Sequence, residues 1–271
     1  MNYYKNIFRS IKVQFLCYVC LLTTVPLLFV CIVEYYSSKS AIEQRVIEQL
    51  TSIADLKKSE LNSWLEERLT DTSVIVRNKV LAAAATSLLQ QRRRCESVYQ
   101  LMNSETARIN YNRVLENLHA LKQFYKHYNV TSIIDGANGE VVISTYPDIV
   151  GKTLSSFNSY IDVLNNQDVA VKDVYTSELM GQNWMTYYCP VLMTDTLTLE
   201  SSDVIVGVIL LDVNVNNSVD PLIHSWPGMG KTGETLLVRR EGDNIVYLND
   251  LRHKQGAALK FTSPIRSTLD I

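Results

Sequence analysis

VTSIIDGANGEVVISTY, residues 130–146, holds two runs of β-branched and apolar residues on either side of an Asp-Gly and an Asn-Gly. Gly and Asn accept the positive φ angles of a tight turn, so the stretch predicts a β-hairpin. Everything upstream of it has a different period. From Ser37 to about Arg94 there is no Gly and no Pro, and Ile42, Val46, Ile53, Leu56, Trp64, Leu65, Leu69, Val76 and Val80 recur at steps of mostly three, four and seven. Such spacing predicts a long amphipathic helix, looser than a strict heptad, with small residues at Ala82 to Ala85 that let another backbone come close. A second helix fits Ser104 to Tyr128, with Ser104 as cap and Tyr111, Leu115, Leu118, Leu121 and Tyr125 on one face.

Downstream of the hairpin, a weak helical segment at Phe157 to Asn166 precedes three β-rich runs, Val169 to Tyr175, Trp184 to Met193 and Val204 to Val213. The last two are joined through the polar loop Thr194 to Asp203 as a wide hairpin. This order suits an antiparallel sheet with helices packed on one face, an α+β unit. After Asp220-Pro221 a second β pattern begins: GKTGETLLVRR, a turn at Glu241-Gly242-Asp243-Asn244, then IVYLND. It repeats the earlier strand–turn–strand in outline and predicts a smaller, incomplete copy of the same unit.

The N-terminal end sets the compartment. Phe15 to Val33, FLCYVCLLTTVPLLFVCIV, is 19 residues without a charge, enough at about 1.5 Å per residue to cross a hydrocarbon core about 30 Å thick. Lys5, Arg9 and Lys12 precede it and Glu34 follows, so the positive-inside rule leaves the N-terminus in the cytoplasm. The long apolar run and the Glu34-Tyr35-Tyr36 exit read as an uncleaved signal anchor rather than a signal peptide. Pro26 is tolerated in such a helix.

Composition is that of a folded protein, with 46% hydrophobic and 20% charged residues among 271. A net charge of −2 gives no basic face for a nucleic-acid partner. The run Gln91-Arg92-Arg93-Arg94 reads as a solvated helix end. Three of five cysteines, Cys17, Cys20 and Cys31, fall inside the apolar span, and a bridge between Cys95 and Cys189 needs side chains that sequence alone does not bring together. His119 and His127 have no partners at metal-ligand spacing, so no metal is expected. GMGKTG at Gly228 to Gly233 matches GxGxxG, but a Trp-Pro pair precedes it and a strand pattern follows, so it reads as a turn and not a phosphate loop. No order of Ser, His and Asp suggests catalysis, and no cofactor motif is present.

Candidate binding residues lie in the strands. Alternation from Trp184 puts Trp184, Thr186 and Tyr188 on one face and Met185, Tyr187 and Cys189 on the other; one face packs on helices and the other lines a cavity. Asp212 ends the otherwise apolar run VIVGVILLD, where a buried carboxylate is costly without a partner. It either contacts a ligand or caps the strand end. Tyr146, Tyr175 and Trp184 are aromatic residues of strands that serve either core or pocket.

The order of anchor, long helix, VTSIIDGANGEVVISTYPDIVGKTLSS, NWMTYYCPVL and VIVGVILLDVNV over about Tyr35 to Phe261 resembles the double Cache sensor of bacterial transmembrane receptors, a PAS-like module. GMGKTGETLLVRREGDNIVYLNDLRHKQGAALKF is similar to the start of the membrane-proximal Cache unit of sensor histidine kinases. The resemblance implies a cytoplasmic segment 1–14, an anchor 15–33, sensor helices over 35–128, a membrane-distal Cache unit over 129–220 and a partial proximal unit over 221–271. It implies a small-molecule ligand in the distal unit, bound among Tyr146, Tyr175, Trp184, Thr186, Tyr188 and Asp212, and a homodimer formed through the long helix. In amino-acid-binding members an Asp at the position of Asp212 binds the ligand amine; this chain has no closely spaced Arg, Trp and Tyr after Tyr160, a departure from the rest of that pattern. The expected function is therefore the sensing portion of a receptor, of the histidine kinase type or of a chemoreceptor or diguanylate cyclase. The competing expectation is a membrane-anchored structural protein that dimerises around a vestigial pocket.

Overall fold

The computed structural model describes residues 11–154, 158–166, 168–177, 179–224, 233–251, 254 and 256–265. Most of GMGKTG lies outside the described residues. The chain divides into two compact units, Met1–Lys58 and Ser59–Ile271.

The first unit is helical. Helix α1, Ile11–Val76, begins in it and contains Pro26. Its apolar run is uncovered, with Phe15 71%, Leu22 76% and Phe29 67% exposed, and its mean hydropathy peaks at 2.6 over 18 residues. The helix is long and apolar enough to cross a membrane. The hydroxyls of Thr23 and Thr24 donate back to the Val19 and Cys20 carbonyls at 3.0 and 2.6 Å, which satisfies them without water.

In the second unit α1 buries Trp64, Arg68, Thr72 and Ile75. The single helix expected up to Arg94 is interrupted at Arg77-Asn78: the Asn78 side chain accepts from the Leu81 amide at 3.1 Å and starts a new helix, α2, Lys79–Arg92. A capping side chain offers the backbone an alternative to the helical ladder. α2 buries Leu81, Ala82 to Ala85, Leu88 and Leu89. A short helix, α3, Val98–Leu101, leads to α4, Glu105–Phe124, with Ser104 as N-cap and Ala107, Tyr111, Val114 and Leu118 buried at steps of four, three and four.

The hairpin forms as β1, Val130–Asp135, and β2, Val141–Ser144. Helix α5, Asn158–Asn166, crosses to β3, Ala170–Thr176, followed by β4, Asn183–Thr194, and β5, Ser201–Asn214. These make one antiparallel sheet in the order β2-β1-β5-β4-β3. A Cβ on Gly207 of β5 would stand 2.5 Å from Leu89 Cδ1 and 2.6 Å from the Ile134 carbonyl oxygen, so only glycine lets α2 lie so close to the sheet.

Alternation divides the core by face. Ile133, Tyr187, Cys189, Ile209, Leu211 and Val213 pack with residues of α1, α2 and α4, while Ile134, Trp184, Tyr188, Val208 and Leu210 form a second cluster with Ile149, Leu154 and α5 residues Val163 and Leu164. The helix face therefore carries Met185, Tyr187 and Cys189, and the opposite face carries Trp184, Thr186 and Tyr188. Cys95 and Cys189 are free thiols, and burial pushes the Cys189 thiol far above its ordinary pKa.

At the end of α2, Arg93 and Arg94 are exposed as a solvated helix end would be, while Arg92 is buried. Arg92 Nη2 bonds Glu140 Oε2 at 2.7 Å with both side chains 11% exposed. Arg93 forks onto Asp135, with Nη2 to Oδ1 at 2.6 Å and Nε to Oδ2 at 3.0 Å. Asp135 and Glu140 flank the hairpin turn, so two helical arginines clamp it; bidentate guanidinium–carboxylate geometry makes this pairing strong.

Beyond α6, Val215–Ser218, and α7, Asp220–His224, a smaller sheet holds β6, Val238–Glu241, β7, Asn244–Tyr247, and β8, Thr262–Pro264, in that order. The turn at Gly242 has φ 62°. The strand expected across GKTGETLLVRR starts only at Val238, because the Leu237 amide is taken at 2.7 Å by the Asn249 side chain. β8 has no counterpart in the expected elements; three residues ending in Pro are a weak pattern that suits an edge. Arg239 Nη1 donates to Asp173 Oδ2 and to the Val174 carbonyl of β3, each at 3.1 Å.

Candidate functional site

Asp212 is carried on the last stretch of β5, opposite Thr186 of β4 and Val130 of β1. In an antiparallel sheet directly opposed residues share a face, which brings Lys172, Thr186 and Asp212 into one row across β3, β4 and β5. The Thr186 hydroxyl donates to Asp212 Oδ1 at 2.5 Å and lies 2.9 Å from the Tyr175 hydroxyl. A hydroxyl has one hydrogen to give, so Tyr175 donates to Thr186 whenever Thr186 donates to an ionised Asp212. The Lys172 ammonium sits 3.9 Å above the Tyr175 ring centroid, a cation–π contact.

These groups surround a cavity of about 20 Å³. One water needs roughly 10–15 Å³, so the space admits about one. Its wall is Tyr175, Thr186, Tyr188, Leu210 and Asp212 from the sheet, Ile149 and Leu154 from the segment after β2, and Ser177, Leu179 and Met180 from the loop between β3 and β4. That loop is held by the Ser177 amide to the Gln182 carbonyl at 2.9 Å and by Gly181 in a left-handed conformation, φ 70°.

Asp212 is 3% exposed. Loss of hydration raises its pKa from 3.8 to about 7, and the Thr186 hydrogen bond only partly opposes this. Burial likewise pushes the Tyr175 and Tyr188 phenols well above their ordinary range, Tyr175 also through the nearby Asp212. No Lys, Arg or His among the described residues forms an ion pair with Asp212.

Of the six residues singled out in the sequence, Tyr175, Thr186, Tyr188 and Asp212 meet at this cavity. Trp184 lies on the same face and in the same apolar cluster, but does not line the cavity; its buried indole N–H has no hydrogen-bond partner among the described residues. Tyr146 is 37% exposed and precedes the 3-10 turn Pro147–Ile149, apart from the cavity wall. Leu210 was readable as the residue two before Asp212 on the same strand face. Ser177, Leu179 and Met180 have no such signal, since a loop's position is set by the strands it joins.

A larger open cleft of about 570 Å³ lies beside α2 and the β4–β5 loop. There Asp195 is saturated by the Leu197 and Thr198 amides and the Thr198 hydroxyl, which hold its pKa below the usual range. It is a capped turn with its carboxylate in water. Among the described residues no group of three His, Cys, Asp or Glu could hold a metal ion.

The five-stranded antiparallel sheet thus packs α2 and α4 on one face and carries α5 and the small cavity on the other. The sequence matches the Cache domain family over residues 38–267, and the chain belongs to that family. Cache domains are sensory ligand-binding modules rather than catalytic ones. No curated protein matches the chain. Among solved structures, the chain is similar to the sensor domain of the Vibrio cholerae histidine kinase DctB, with 15% identity, a TM-score of 0.46, and coverage of 64% of this chain and 57% of that one. It is also similar to the ligand-binding domain of the Pseudomonas fluorescens chemoreceptor CtaA in complex with L-serine, with 13% identity, a TM-score of 0.49 and coverage of 80% and 77%. A third is the ligand-binding domain of the Pseudomonas aeruginosa amino-acid chemoreceptor PctC in complex with GABA, with 17% identity, a TM-score of 0.49 and coverage of 79% and 78%. The chain spans little more than half of the first of these.

Proposed function

We propose that this chain is the extracytoplasmic ligand-sensing portion of a bacterial transmembrane receptor, anchored by Phe15 to Val33 with its N-terminus in the cytoplasm, and that a small molecule binds at Asp212. In this reading residues 129–220 are the membrane-distal Cache unit and 221–271 belong to a proximal one. The exposed Ile42, Val46 and Leu50 of α1 are the seam of a homodimer. The observation that carries the reading is Asp212 itself: a buried carboxyl group at a cavity, bonded among the described residues only by a neutral hydroxyl, on the sheet face opposite α2 and α4. A charge so placed is costly unless a partner arrives, and a ligand with a strong hydrogen-bond donor is such a partner.

Ligand binding to the folded state raises stability by mass action, about 2.7 kcal/mol at a hundredfold excess over Kd. The full chain in lipid nanodiscs, screened by thermal shift against amino acids, amines, organic acids, sugars and purines, is expected to give a hit that Asp212→Ala abolishes. A panel without a hit overturns the reading in favour of a structural protein, and a hit that survives Asp212→Ala moves the site elsewhere.

A further inference from the structure

The cavity floor is a chain of three exchangeable groups, Tyr175 Oη, Thr186 Oγ1 and Asp212 Oδ1, at 2.9 and 2.5 Å. Such a chain has two senses. With Asp212 ionised, protons point from Tyr175 through Thr186 to the carboxylate. With Asp212 neutral, its own O–H donates to Thr186, which donates on to Tyr175. No heavy atom needs to move between the two, because Thr186 and Tyr175 are both donor and acceptor.

The surroundings favour the neutral sense. Facing Asp212 from β4 are Thr186 and Tyr188, and from β3 Tyr175, with Lys172 held over the ring of Tyr175 rather than against the carboxyl. β1 contributes Val130, directly opposite. From α5, Val163 and Leu164 join the apolar cluster on this face, while Asp162 is exposed. One water's space cannot hydrate a carboxylate. A lone charge here loses its solvent and gains one hydroxyl.

We infer that the unliganded cavity stores Asp212 as the neutral acid, and that capture of a cationic ligand is a proton exchange at this residue. Resting on the small-molecule reading of the site, the exchange is balanced: the O–H bond of the Asp212 carboxyl breaks, its proton leaves to water, and the carboxylate left behind pairs with the arriving cation. The Tyr175–Thr186 chain turns round in the same step and donates to the new charge. Binding of a cation therefore strengthens as pH rises through neutrality, and the site reads ligand and acidity together. The carboxyl's raised pKa agrees with this cavity chemistry.

The linkage has a definite sign. Between the unfolded value of 3.8 and the folded value of about 7, the native state holds a proton that the unfolded chain has released, so stability is full below that window and is lost as pH rises through it. The full chain in nanodiscs, without ligand, is unfolded thermally across about pH 4 to 8, and infrared difference spectra of the same samples follow the protonated-carboxyl band. Wild type is expected to show a carboxyl band that disappears near neutrality and to lose more stability across the window than Asp212→Asn, which is expected to lack the band. Methylammonium, as a minimal cationic probe, should then stabilise wild type more at pH 8 than at pH 5.5.

The inference is overturned by a wild-type spectrum in which no carboxyl titrates above pH 5 or whose titrating band persists in Asp212→Asn. Methylammonium stabilisation that is equal at the two pH values overturns the exchange step. Because the spectroscopic arm uses no ligand, its failure beside a ligand hit rejects proton storage alone. A titrating Asp212 beside an empty ligand screen rejects the receptor reading instead.

Discussion

Alternate residues of β4 part company at the sheet. Met185, Tyr187 and Cys189 go down among the helices, where the Tyr187 hydroxyl meets the Met185 sulfur at 3.6 Å. Trp184, Thr186 and Tyr188 go the other way, on the face of the cavity and the Asp212 carboxyl group, and the Trp184 indole N–H has no partner among the described residues. Both faces are buried, so burial does not separate them. A cavity does: one face is filled by side chains of α1, α2 and α4, and the other keeps a small space lined by Tyr175, Thr186, Tyr188 and Asp212. Stability is concentrated on the first and chemistry on the second.

Neighbouring leucines of β5 test that division most strongly. Leu211 is fully buried against the helices and Leu210 borders the cavity. Leu211→Ala is expected to cost about 2–5 kcal/mol, and Leu210→Ala to fall at or below the low end of that range, because it enlarges a space already present. Chemical denaturation measures both, and equal losses would break the comparison. Arg92→Met comes next. It leaves Glu140 buried beside the hairpin turn without its guanidinium and should cost about 2–3 kcal/mol, discounted from a fully buried pair for residual exposure. Rescue by Glu140→Gln in the same background would show that the stranded charge, and not lost packing, carries the cost. Tyr175→Phe is the smallest. Removing one hydroxyl from the cavity chain should cost about 1 kcal/mol in stability, with a larger effect on any ligand that ionises Asp212.

Much of this was legible before any coordinates. The β-branched runs around Gly136 and Gly139, the Ser104 cap and the alternation in β4 are local signals, and local signals placed the hairpin, α4 and the strands, with ends up to about four residues out at α4 and three at β5. Alternation also put Trp184, Thr186 and Tyr188 on one face, while the pairing that sets Asp212 opposite Thr186 came only with the strand register. It could not say which face met the helices, since both are apolar enough to pack. Arg92 was misread and the Arg93 pairing missed for a related reason: basic residues at a helix end look solvated unless the partners 48 and 42 positions away are known. Asn78 was hidden inside an otherwise unbroken helical pattern, and Tyr146 drew attention by its type while its neighbours held it near the surface.

One contact made by the small second sheet bears on how the molecule survives in solution. β3 is the outermost strand of its sheet, an edge that leaves backbone carbonyls open to pairing with another chain. Arg239 fills one of them, the Val174 carbonyl, and doubles the hold through Asp173. The small sheet thus serves as an edge guard, and a version cut before β6 would present β3 bare. Loss of that guanidinium would return the Val174 carbonyl to solvent or to another chain.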